Sequence, residues 1–142
     1  MENYEKKIKK FKKNGIKFKE IEIDEESDFD SSIKCSKNYC GCVGVALYSE
    51  NEGALLHYSY FPSILKKEIE KYLKRINKKD LSAKVVLCGN FIKEEKKVLE
   101  EIFKKNKINY KFLILDSKRD IIFYPSSGKM EIFFPDKNKI EF

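Results

Sequence analysis

The chain has 142 residues, 42% hydrophobic and 37% charged, and 30 Lys+Arg against 23 Asp+Glu give a formal charge of +7. That length and mixture predict one domain with a core large enough to need no disulfide or metal staple, and they exclude a disordered chain. No stretch reaches about 18 apolar residues and no apolar signal core follows the lysine-rich start, so no membrane insertion is expected; the expected compartment is the cytoplasm, with Cys35, Cys40, Cys42 and Cys88 as reduced thiols.

Tyr4 to Asn14 predicts a short basic helix with Ile8 and Phe11 on its apolar stripe and Gly15 as C-cap. Ile16, Phe18, Ile21 and Ile23 suggest a strand whose alternation slips near Lys19. Glu20 to Asp30 is strongly acidic, so residues 1–30 hold eight lysines against nine carboxylates. The basic head therefore reads as a solvated helix beside an acidic loop rather than a nucleic-acid arm.

Val43 to Tyr48 is a continuous apolar run, which predicts a buried strand. Ser49 to Gly53 reads as a turn, and Ala54 to Tyr60 as the returning strand of a hairpin. Pro62 and Ser63 open a helix, with Ser63 as N-cap and Ile64, Leu65, Ile69, Tyr72, Leu73 and Ile76 on one face. Ala83 to Leu87 predicts a strand. Glu94 to Asn106 predicts a second amphipathic helix, with Val98, Leu99, Ile102 and Phe103 inward. Strands are expected at Tyr110 to Leu115, Ile121 to Tyr124 and Met130 to Phe134, with a turn at Pro125 to Gly128. No repeat or linker divides the chain. The order implies a single α+β domain over residues 1–142, with mixed sheet layers and flanking helices.

The chain has one histidine, His57, near the middle of the second hairpin strand. Cys42 immediately precedes the first. Antiparallel pairing brings these positions to the same end of the hairpin. A thiol beside an imidazole suits nucleophilic catalysis: the histidine takes the thiol proton and later protonates a leaving group, and a third group orients the ring. Gly41 would let a substrate approach the backbone closely. A metal site is the competing reading of the thiols. Cys35, Cys40 and Cys42 with distant Cys88 supply four sulfurs, but Cys40-x-Cys42 is tighter than the usual zinc spacing. No metal or other cofactor is expected.

The run Cys40-Gly41-Cys42-Val43-Gly44-Val45-Ala46-Leu47-Tyr48, then Gly53-Ala54-Leu55-Leu56-His57 and Pro62, resembles the CheD family of chemoreceptor glutamine deamidases. That family's signature is Gly-Ser-Cys-Val-x-Val-x-Leu-Tyr, a turn, then Gly-Gly-(small or apolar)-x-His-x-x-Leu-Pro. Ala83 to Phe91 resembles its Ala-Lys-x-Phe-Gly-Gly-Ala-x-Met stretch, and Ile121 to Met130 resembles its closing hairpin. The resemblance covers residues 31–135 in order. Residues 1–30, a basic helix, a strand and an acidic loop, include an N-terminal helix with no counterpart.

In that family a Cys, a His and a Thr form the catalytic group, with the Thr six residues before the Cys. The resemblance thus implies Cys42 as nucleophile, His57 as general acid/base and Ser36 as the group orienting the imidazole; the chain contains no Thr. It further implies a CheD-like cysteine-hydrolase fold, deamidation of a glutamine on a chemoreceptor (methyl-accepting chemotaxis protein) or another protein, and a CheC-type phosphatase as partner. The family's Gly-Gly-x-x-Gly-Arg segment corresponds here to Asp116-Ser117-Lys118-Arg119-Asp120, which has no glycine. A non-catalytic binding protein of the same fold is therefore the second reading.

Nucleic-acid binding is the third. Arg is nearly absent, with only Arg75 and Arg119, and no recognised DNA- or RNA-binding motif appears. The positive excess falls after residue 30 and is compatible with an acidic protein partner, such as Glu-rich receptor methylation helices.

Overall fold

A computed structural model of the chain describes residues 2–39, 41–59, 61–88, 92–116, 118–136 and 138–142, with main chain only at 88 and 92. Asn3 caps helix α1 (Tyr4–Lys13) by accepting from the Lys6 amide. The helix ends at Asn14, one residue before the expected glycine cap, and Gly15 takes the left-handed turn at φ +66. The expected strand around Ile16 to Ile23 is shorter: β1 covers Phe18–Ile21.

A two-residue strand β2 (Glu25–Glu26) follows, then β3 (Ile33–Tyr39), which the sequence reading did not anticipate. The hairpin is present as β4 (Val43–Ser49) and β5 (Glu52–Tyr58). Its turn is only Glu50 and Asn51, at φ +50 and +69, so Ser49, Glu52 and Gly53 already belong to the ladder. Helix α2 (Pro62–Ile76) takes Phe61, not Ser63, as N-cap. The fixed φ of Pro62 suits the first helical position, and that leaves Ser63 inside the helix. The remaining elements are β6 (Ser82–Cys88), α3 (Ile92–Lys105), β7 (Asn109–Leu115), β8 (Arg119–Tyr124), β9 (Lys129–Phe133) and an unexpected edge strand β10 (Lys139–Glu141).

The strands form two mixed five-stranded sheets, one ordered β1-β3-β8-β9-β10 and the other β2-β5-β4-β6-β7. The parallel neighbours are β1 with β3 and β6 with β7. Alternating side chains assign three hydrophobic layers. Val43, Val45 and Leu47 of β4 pack with Leu65, Ile69, Leu99 and Phe103 under α2 and α3. Cys42, Ala46 and Leu55 face Tyr39, Ile121, Phe123, Met130 and Ile132 of the other sheet. Tyr4, Ile8 and Phe11 of α1 cover Cys35, Ile122 and Phe133 on the outer face of the first sheet. The result is a single α+β domain layered helix, sheet, sheet, helix pair. On α2, Leu65, Ile69 and Tyr72 are buried as expected, but Ile64 is exposed. No helix among the described residues is long and apolar enough to cross a membrane.

Candidate active site

The site lies in the layer between the sheets, at one end of the hairpin. His57 on β5 stands directly opposite Gly44 on β4, and Val43 stands opposite Tyr58. Cys42 immediately precedes the ladder, two residues before Gly44, and so takes the diagonal position to His57, where Cα atoms lie roughly 7–8 Å apart. Both side chains belong to the inter-sheet face: Cys42 is buried in that core layer and His57 is wholly buried.

β3 supplies the orienting group. Ser36 Oγ lies 2.8 Å from His57 Nδ1 and donates to the Ile21 carbonyl at 2.8 Å. A hydroxyl has one proton to give and a carbonyl can only accept. Ser36 thus spends its proton on Ile21 and accepts from the imidazole. This network assigns the proton to Nδ1 and leaves a lone pair at Nε2. Nε2 is buried and has no hydrogen-bond partner among the described residues.

Tyr39 clamps the ring from above, stacked at 3.7 Å between centroids with planes 14° apart. Ser36 and Tyr39 are an odd number of residues apart, so an unbroken strand would send them to opposite faces. A register shift between them, with Asn38 at φ +64, turns Tyr39 inward. Arg119, at the start of β8 and buried, donates to the Tyr39 carbonyl at 3.1 Å. Gly44 leaves the space that the tyrosine ring occupies: a Cβ there would lie 2.8 Å from Tyr39 Cε1 and 3.3 Å from Ile121 Cδ1.

Burial pushes the His57 imidazole from its ordinary 6.5 to about 4; the Asp24 carboxylate pulls it back less, and the Arg119 charge pushes it further down. The resting ring is neutral near pH 7. Gly41, just before Cys42, is exposed at φ +70, and a Cβ there would meet nothing within 4 Å.

No protein-family model and no curated protein matches this chain.

Of the residues singled out from the sequence, Ser36 and His57 are in direct contact, and Cys42 is on the same face of the same hairpin. Cys35 is not part of this group. It neighbours Ser36 but points to the opposite face, beneath α1, where burial and the Glu20 charge push its thiol well above the ordinary range. Cys40 and the Cys88 side chain lie outside the described residues, as do Ser117 and the residues Gly89 to Phe91. Among the described residues no group of three or more His, Cys, Asp and Glu side chains could hold a metal.

Tyr39, Gly44 and Arg119 were missed as site residues. Two of them carried a signal. Gly44 interrupts an otherwise continuous apolar strand, which marks a close approach. Arg119 is one of only two arginines in a chain that otherwise uses lysine, which marks a need for a planar, multidentate cation.

A depression opens beside the ring, lined by Glu20, Glu22, Ile23, Lys37, Asn38 and His57. The β1–β2 connection that forms its rim is fastened to the end of β5. The Asp24 amide donates to the His57 carbonyl, and the Asp24 carboxylate accepts from the Ser59 amide at 2.8 Å and from its hydroxyl at 2.9 Å.

Proposed function

We propose that the chain is a cysteine-dependent amidohydrolase that deamidates a glutamine side chain of a protein substrate, as a divergent relative of the CheD family with a CheD-like fold. The single observation that carries this reading is the state of His57: anchored at Nδ1 by Ser36, without a partner at Nε2 among the described residues, and at the diagonal position to Cys42.

Nε2 takes the Cys42 proton as sulfur attacks the glutamine carboxamide carbon. A C–S bond forms and the carbonyl oxygen becomes an oxyanion, which backbone N–H groups near Cys42 stabilise by roughly 3 kcal/mol per donor. The imidazolium returns its proton to nitrogen, the C–N bond breaks and ammonia leaves. Water, deprotonated by the same ring, hydrolyses the thioester to glutamate and restores the thiol. Because burial keeps His57 neutral, proton transfer accompanies attack, and no standing thiolate–imidazolium pair precedes it.

The resemblance makes a helical segment of a chemoreceptor the first substrate to try, and a CheC-type phosphatase the first partner. The test is ammonia release from such a segment. Cys42→Ala and His57→Ala are expected to abolish it, and wild-type rates in both would refute the reading.

The burial of Cys42, which is 3% exposed, favours a second reading. A non-catalytic protein of this fold would bind the same partners. Alkylation separates the two: an accessible thiol is modified by iodoacetamide in the folded protein, and an unreactive Cys42 would support the binding role.

A further inference from the structure

The rim of the depression beside His57 is acidic. Glu20 on β1, Glu22 and Asp24 in the connection to β2 and Glu25 at the start of β2 are all exposed, and Glu20 and Glu22 line the depression. Among the described residues none of them has a cation within ion-pair distance. Three make hydrogen bonds within the fold: Glu20 accepts from the Tyr4 hydroxyl, Asp24 holds Ser59, and Glu25 accepts from the Glu22 amide. The Glu22 carboxylate projects from a residue that also lines the depression.

The one lysine of the lining is paired elsewhere: Lys37 bonds Glu5 of α1 at 2.8 Å and acts on Glu20 only beyond ion-pair distance. Arg119 is a cation that acts on His57 from the buried side, and the lysine-rich groove lies elsewhere. Lys67, Lys71, Lys74 and Lys78 line a groove at the far ends of α2 and α3, under the other face of the second sheet. His57, whose buried Nε2 has no hydrogen-bond partner among the described residues, lines the acidic depression and not that lysine groove.

Ile23 sits between Glu22 and Asp24, is half-exposed and lines the same depression. An apolar surface flanked by carboxylates matches a long aliphatic stem with a cationic head. We propose that this lip selects substrates whose target glutamine is flanked by lysine or arginine. The inference rests on the deamidase reading for the glutamine and on the lip alone for the flanking charge. It reverses the expectation of a Glu-rich segment at the site, since like charges facing each other across the mouth are unfavourable.

Two fluorescent peptides test it, each with one glutamine, flanked by lysine in one and by glutamate in the other. Binding to Cys42→Ala is measured by anisotropy, and ammonia release is measured with the wild type. The lysine peptide should bind about fivefold tighter or more at low salt, and the gap should close toward about 1 M salt, where screening is nearly complete. Glu22→Lys should erase or invert the preference. Equal binding, tighter binding of the glutamate peptide, or a preference unchanged in Glu22→Lys overturns the proposal. Equal ammonia release from both peptides overturns it as well, and leaves the deamidase reading standing. A lysine preference in binding with no ammonia from either peptide supports the lip and refutes the deamidase reading.

Discussion

Ser36 Oγ accepts from His57 Nδ1 at 2.8 Å while giving its only proton to the Ile21 carbonyl. That one hydroxyl fixes both the tautomer and the tilt of the ring. Ser36→Ala removes the acceptor and leaves two buried polar groups unsatisfied, at a cost of about 1–3 kcal/mol. The ring then loses its register with Cys42, and a misplacement of this kind lowers the rate by about a hundredfold. Ser36→Thr keeps the hydroxyl and should retain most of the activity. Ammonia release and urea melts of the two variants check this, and equal rates in alanine and threonine variants would contradict it.

Gly44 and Tyr39 form the second support of the ring. Gly44→Ala inserts a Cβ 2.8 Å from Tyr39 Cε1, so the tyrosine ring must move off the imidazole. Overpacking of this kind costs about 1–3 kcal/mol. Tyr39→Leu in the same background removes the clashing ring atoms. The double variant should therefore be less destabilised than the sum of the singles, as expected for contacting residues. Denaturant midpoints of the four proteins measure that coupling.

The hairpin and both long helices were legible because each follows one periodicity. Val43 to Tyr48 is apolar apart from Gly44, and α3 repeats Leu99, Ile102 and Phe103 at helical spacing, all three buried. β3 was not legible. Its inward positions are Lys34, Ser36 and, after the register shift, Tyr39; its outward Cys35 is also buried, beneath α1. A strand buried on both faces with polar residues inside carries no alternation to read. Ser36 was picked by its spacing from Cys42 within a family pattern, and not by any property of the strand. The Tyr39 stack depends on the bulge, which no sequence period announces.

The titration of His57 has a defined sign. Its folded value, about 4, lies below the ordinary 6.5, so the buried neutral ring contributes stability that is present above pH 6.5 and is lost as pH falls toward 4. Each unit is worth about 1.4 kcal/mol. Between pH 6.5 and 5, above the range of the carboxylates, the urea midpoint should fall with acidification, and His57→Asn should flatten that slope. The acid limb of kcat/KM for ammonia release should likewise lie near pH 4. A limb near 6.5 would mean that the ring is solvated in the working enzyme.

Lys34 makes the last prediction. It is wholly buried on the inter-sheet face, and its ammonium donates to the Asp30 carboxylate, the Asp30 carbonyl and the Ser32 carbonyl. Asp30 in turn bridges to Gly53 at the far end of β5 from His57. Burial pushes the lysine down and the carboxylate answers it, while the Lys34, Ser32 and Lys19 contacts outweigh burial at Asp30 and hold its carboxyl well below the usual range. Asp30→Ala takes the carboxylate from the buried ammonium and leaves it two carbonyls, at a cost of at most about 3–5 kcal/mol, whereas exchanging the whole pair for apolar groups is cheaper. Asp30→Ala/Lys34→Met should therefore be more stable than Asp30→Ala alone, even though it carries one more substitution. If the double variant is the less stable, Lys34 stabilises the fold through its two carbonyl contacts rather than through the ion pair. With Asp30 intact, its depressed carboxyl adds stability above pH 4 that is lost on further acidification, and that loss should vanish in the double variant.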